Sequence, residues 1–149
     1  MLTNKGKYGL KAMVHLAGMP PGRPALVADI AKANNIPKKF LDAILGELRT
    51  ARLVYSKKGR GGGYALAKSP YDIMVGEIIR ALDGPLAPIA CASRNFYRRC
   101  DDCPAEVQCN VRLMMLEVRE AIADVLDRRS LAAMRALAES DESELVYHI

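Results

Sequence analysis

Apolar and polar positions along this chain recur mostly at helical spacing. Between residues 3 and 19, Tyr8, Ala12, His15 or Leu16, and Met19 return every three to four positions. Thr3 or Asn4 stands ready to cap this run and Pro20-Pro21-Gly22 to stop it, so a first helix is predicted. A second, short helix fits 27–33 with Ile30 turned inward, ending at Asn34-Asn35. Pro37 suits the first position of a third helix, which runs through Phe40, Leu41, Ile44, Leu45 and Leu48. Two short helices joined by a tight turn after a longer one make a helix-turn-helix, whose second helix enters the major groove of DNA. The N-terminal face of that helix presents Lys38, Lys39, Asp42 and Ala43. The candidate recognition residues are Lys38, Lys39, Phe40 and Asp42.

The spacing changes at 53–66, where two short β-type runs flank a glycine-rich turn carrying Lys57, Lys58 and Arg60. This predicts a hairpin wing. Its glycines permit positive φ and close backbone approach, so a cationic tip can reach phosphates or a narrow minor groove. A nucleotide-cradling loop would need a following Gly-Lys-Ser and a helix starting at the loop, and neither is present. Lys58 and Arg60 are therefore candidate DNA contacts on the wing, and Lys5 and Lys7 candidate phosphate contacts beside it.

Helical spacing resumes at 111–125. Val111, Met115, Val118, Ile122 and Val125 follow in steps of four and three, a coiled-coil-like stripe, while Leu113, Leu116, Ala123 and Leu126 form a second apolar face. A helix apolar on two sides needs two partners, here the head and a second copy of the chain. Met114 and Met115 read as seam packing rather than thioether ligands. A short final helix is expected over 130–138, followed by an acidic, loose tail over 139–149 that includes His148.

Charge sharpens this division. Residues 1–70 hold 13 Lys and Arg against three acids, whereas 71–149 hold nine Arg against 14 acids. The field that attracts a polyanion thus lies on the head. A length of 149 residues, half of them apolar, suits one domain with an appended element. The N-terminus is basic without a following apolar stretch, and no run is long enough to span a bilayer, so a cytoplasmic protein without a membrane partner is expected.

All four cysteines fall within nineteen residues as Cys91-x8-Cys100-x2-Cys103-x5-Cys109. In a reducing compartment such clustering points to ligands or redox centres rather than structural disulfides. Thiolates suit iron or zinc, so a cluster and a tetrahedral zinc are both open on spacing alone, as is a metal-free thiol switch. Cys100-x2-Cys103 also resembles a thiol-disulfide exchange motif, but no strand precedes it and no βαβ unit contains it. His15 reads as a packed or surface histidine, and no acid-base constellation supports an enzyme.

Four segments together resemble the Rrf2 family of bacterial winged-helix regulators. They are Leu2-Thr3-Asn4-Lys5-Gly6-Lys7-Tyr8, the wing Lys57-Lys58-Gly59-Arg60-Gly61-Gly62-Gly63-Tyr64, the segment Val75-Gly76-Glu77-Ile78-Ile79, and the late cysteines. The resemblance runs in order from residue 2 to about 137. It implies a homodimer on a pseudo-palindromic operator in double-stranded DNA, with the long C-terminal helix as dimer seam. It also implies that three cysteines hold an iron-sulfur cluster, 2Fe-2S or 4Fe-4S, and Cys91, Cys103 and Cys109 match those positions.

The chain departs from that pattern in three places. The interval from Cys91 to Cys103 is longer and contains Cys100. Arg112 stands where cluster-binding relatives carry a histidine ligand. Lys7 and Lys11 stand where others supply a carboxylate or histidine from the first helix. Cys100 is thereby the expected fourth ligand, with zinc as the alternative metal. Some relatives are instead controlled by a partner enzyme or small metabolite, without a cluster.

The expected fold is mostly α with a small β-hairpin wing. A winged helix-turn-helix head covers 1–84, a cysteine-rich sensor loop 85–110, and the dimerisation helix with a short final helix 111–138. In this arrangement the cluster's state orders the loop, shifts the dimer helix and so changes the placement of the two heads.

Overall fold

The computed structural model describes residues 2–147. Helix α1 (Asn4–Ala17) begins where expected, with the Thr3 hydroxyl accepting from the Gly6 amide at 3.1 Å. Asp83 then takes both the Thr3 amide, at 3.0 Å, and the Thr3 hydroxyl, tying the start of α1 to the end of the helix Val75–Asp83. Gly9 lets these helices cross closely, since a Cβ there would lie 2.0 Å from Leu82 Cδ1. The buried face of α1 comprises Leu10, Ala12, Met13 and Leu16, rotated from the predicted one, so Tyr8, His15 and Met19 are only half-buried.

Helices α2 (Val27–Asn34) and α3 (Lys38–Thr50) are joined through Asn35, which adopts a left-handed conformation at φ 53°, and buried Ile36. Pro37 caps α3 rather than opening it, one residue from the expected position. Ile30, Leu41, Ile44, Leu45 and Leu48 are buried, as the helical spacing predicts. Strands β1 (Val54–Lys57) and β2 (Gly63–Leu66) pair antiparallel, Val54 opposite Leu66 and Lys57 opposite Gly63. Ala25 adds a third short edge, exchanging two 2.8 Å backbone hydrogen bonds with Tyr64. The wing is thereby fastened to the segment before α2. Its tip turns through Gly59 and Gly61, at φ 89° and 69°, where other residues would be strained.

Helix α4 (Val75–Asp83), to which the apolar spacing assigns no element, is started by Glu77, whose carboxylate accepts from the Met74 amide at 2.8 Å. Ile78 and Leu82 carry it into the core. A connection containing one 3-10 turn (Ala90–Ala92) then leads to α5 (Asn110–Leu126) and α6 (Leu131–Tyr147).

The last helix departs from expectation. Between α5 and α6 the chain folds back onto the head. The Val75 amide donates to the Arg129 carbonyl at 2.9 Å and the Leu131 amide to the Ile73 carbonyl at 2.8 Å. Leu131 is completely buried in the head core, and α6 lies against α1. The final helix thus belongs to the head rather than to the appendage. It also continues through 139–147, where a loose tail was expected, because Ala132, Ala133, Ala136, Ala138, Glu139, Glu142 and Glu144 are strong helix formers whatever their charge. His148 lies outside the described residues. Among the described residues, no helix is long and apolar enough to cross a membrane.

Candidate nucleic-acid interface and thiol cavity

The basic surface is assembled from α1, α3 and the wing. At the start of α3, Lys38, Lys39, Phe40 and Asp42 are all exposed. Lys38 pairs with Asp42 one turn on at 3.2 Å, which leaves Lys39 as the unshared cation of this turn. Phe40 is 41% exposed and meets the Tyr8 ring edge-on, centroids 5.8 Å apart, so its outward position is held by packing from α1. The Lys7 ammonium lies 5.2 Å from the centre of the same Tyr8 ring. Lys5 is bridged to Glu47 at 3.1 Å, so part of its charge is spent on joining α1 to α3. Lys58 and Arg60 are exposed at the wing tip. From residue 48 to 71 the chain carries Arg49, Arg52, Lys57, Lys58, Arg60 and Lys68 and no acid. Spacing did not reveal Tyr8 and Glu47 as supports of this surface, because their roles arise only where α1 crosses α3.

Cys91, Cys100, Cys103 and Cys109, nineteen residues from first to last, line one cavity of about 340 Å³, together with Ile89, Asp102, Pro104, Val111 and Arg112. Cys91 is buried in the 3-10 turn and the other three are half-buried. The neighbouring Cys91 side chain is the chief reason the Cys100 pKa is raised. The Cys103 amide donates to the Cys100 carbonyl at 3.2 Å, folding the Cys-x2-Cys segment into a turn. Arg99 braces that turn by donating to the Cys103 carbonyl at 2.9 Å. The neighbouring Glu106 carboxylate is the chief reason the Tyr97 pKa is raised.

Cys109 is the N-cap of α5, its sulfur accepting from the Arg112 amide at 3.5 Å. A thiolate there faces the positive end of the helix dipole. All four cysteines are free thiols. Among the described residues, no three His, Cys, Asp or Glu side chains converge closely enough to hold one metal ion. The four thiols are nonetheless donors of the kind that bind iron or zinc.

Two arginines of α5 hold the Cys91 turn. Arg112, which stands in place of a ligand, donates from Nε to the Cys91 carbonyl at 3.0 Å, and Arg119, two turns further along α5, donates to the Ala92 carbonyl. Their seven-residue spacing on one helix face is the only signal the sequence carries for them.

Helix α5 has no buried residue anywhere along its length. Val111 and Val125 are 59% and 58% exposed, and Met115, Val118 and Ile122 are half-covered. Its contacts within the chain are with the 3-10 turn and α4.

Residues 2–136 match the family model Rrf2, described as an iron-dependent transcriptional regulator. An HTH-type regulator of Rhodobacter capsulatus, named as rrf2-like, is 40% identical over 91% of this chain and 93% of its own. The HTH-type transcriptional regulator CymR of Bacillus subtilis is 31% identical over 99% of each chain. Its structure, that of a global cysteine regulator, superposes with a TM-score of 0.73 over 92% of this chain and 97% of its own. The structure of T. potens IscR, 30% identical, gives a TM-score of 0.72 over 96% and 90%.

Proposed function

Since the chain belongs to the Rrf2 family, and so is a DNA-binding transcription regulator rather than an enzyme, we propose that an iron-sulfur cluster held by Cys91, Cys100, Cys103 and Cys109 governs its DNA binding. The observation that carries this reading is the convergence of all four cysteines on one cavity at the start of α5. When bound, such a cluster supplies one-electron redox chemistry and sensitivity to iron supply and oxidants. The chain's own part is to place Cys91 on a buried turn, Cys100 and Cys103 on a braced loop, and Cys109 at the positive end of a helix.

The N-terminal turn of α3, with Lys38, Lys39, Phe40 and Asp42, enters the major groove. Lys58 and Arg60 follow the wing to phosphates or the minor groove, while Lys5 and Lys7 touch phosphate. Two copies meet along Val111, Met115, Val118, Ile122 and Val125, and their paired heads read a pseudo-palindromic operator. In functional terms the head spans 1–84 and the sensor loop 85–110, with α6 added to the head.

The test is anaerobic reconstitution of the full chain with iron and sulfide, followed by its visible spectrum and by selection from a randomised duplex pool with and without the cluster. Broad absorption near about 400 nm that is lost in Cys100→Ala, together with a cluster-dependent selected sequence, is the expected result. A colourless protein overturns the cluster. The shared cavity of Cys91 and Cys100 then leaves a thiol switch, read as a Cys91–Cys100 disulfide in the oxidised protein by mass spectrometry, whereas metal analysis identifies zinc.

A further inference from the structure

We infer that Arg112 and Arg119 are positioning residues that clamp the Cys91 turn onto α5, and that through Arg119 the occupancy of the thiol cavity reaches the joint between α5 and the head. This rests on the cluster reading above for its second half, whereas the clamp itself stands on geometry. The two guanidinium groups hold consecutive carbonyls, Cys91 O and Ala92 O, of one buried turn. The Arg119 side chain is only 15% exposed. Its other nitrogen meets Glu120, which also takes Arg94 from the loop at 2.5 Å. Both bonds hold the Glu120 pKa down, Arg119 contributing most, and the carboxylate joins Arg119 of α5 to Arg94 of the loop.

Beneath the clamp the loop and helix do not close on apolar packing. A cavity of about 160 Å³ lies there, lined by Leu86, Phe96, Arg119, Glu120, Ala123 and Asp127. A joint made of polar bonds beside a solvent-accessible cavity can exchange those bonds with water, and so rearrange at lower cost than a filled core. The same cavity is bordered by Arg80, which reaches from α4 to Asp127 at the C-terminus of α5 with two bonds of 2.6 and 2.8 Å. Between the Cys91 turn and helix α4 of the head, the chain of contacts is therefore Ala92, Arg119, α5, Asp127 and Arg80. Any displacement of Cys91 pulls on its first link.

The experiment is amide hydrogen exchange on the full chain, metal-free and iron-sulfide reconstituted, for wild type and Arg119→Met, a variant that keeps an apolar stem and loses the donors. Arg119 does not line the thiol cavity. In metal-free protein the Ser93 and Arg98 amides, which both donate to Ala90 O at 3.2 and 3.3 Å, should exchange at least about tenfold faster in the variant, with α1 and α3 amides unchanged. On reconstitution, wild type should gain protection through 119–127 as well as 89–109. Arg119→Met should take up the same colour yet gain protection in 89–109 alone.

Unchanged Ser93 and Arg98 exchange in the metal-free variant overturns the clamp. Protection of 119–127 equal to wild type in the coloured variant overturns the coupling. If wild type takes up no colour, the cluster reading and the coupling that rests on it fail together, while the metal-free comparison still decides the clamp. Should the α1 and α3 amides reveal misfolding, Arg119→Lys takes the variant's place, since it retains one donor and is expected to fall between the two.

Discussion

Replacing Leu131 by Ala tests whether the segment after α5 is structural to the head. Leu131 is the first residue of α6 and has no exposed surface. The change deletes three carbons, worth about 0.8 kcal/mol each in transfer, or about 2.4 kcal/mol. The Ile73 and Ser130 backbone bonds that hold the site limit its collapse, so a cavity term adds to this, giving a loss of about 3 to 4 kcal/mol. For a chain of this size that corresponds to a fall in Tm of about 10 °C. Urea unfolding followed by circular dichroism at fixed protomer concentration measures it, with Leu137→Ala on the same helix as control. Leu137 is 50% exposed and should cost under about 0.5 kcal/mol. A loss at Leu131 below about 1 kcal/mol, or equal losses at both sites, would refute the placement of α6 in the head core.

Three further outcomes follow from the geometry. Arg60→Ala should weaken binding to the selected duplex and reduce the salt slope by about one, measured by fluorescence anisotropy, with the reconstituted spectrum unchanged; loss of colour would contradict a wing separate from the sensor. Val125→Glu should convert dimer to monomer in sedimentation at unchanged head stability, because Val125 is 58% exposed on one chain and touches no head core. The Arg80 hydrogen bond holds the Asp127 carboxyl below its ordinary range, so the pair's stabilisation is full above the unfolded carboxylate pKa of about 4 and disappears as pH falls through the lower native value. With partners 39% and 40% exposed, Asp127→Asn should cost about 0.2 to 1 kcal/mol at pH 7 in low salt and nothing at pH of about 2.

Local chemistry made much of this protein readable before any coordinates. Thr3 and Pro37 mark helix starts, and Ile30, Leu41, Ile44, Leu45 and Leu48 mark buried faces. The glycines of 59–63 mark the wing tip, and four crowded cysteines mark a thiol-rich loop. Each signal depends on residues a few positions apart, and spacing reports that range faithfully. Helix α4 lay at the edge of legibility: Glu77 three residues after Met74 is a start signal, but its nine residues are too few for the apolar repeat to stand out.

Only the tertiary structure decided which apolar face meets which partner. Leu131 and Val125 are both apolar and six residues apart, yet one is completely buried and the other mostly exposed. The difference lies in backbone bonds from Arg129 and Leu131 to Val75 and Ile73, more than fifty residues away in the chain. The meeting of four thiols in one cavity, the pairing of Lys5 with Glu47, and the grip of Arg112 and Arg119 on the Cys91 turn have the same origin. A periodic pattern states how much of a helix seeks cover. The three-dimensional path of the chain supplies the cover, because contact energies fall off within a few ångströms and only folding brings distant residues that close.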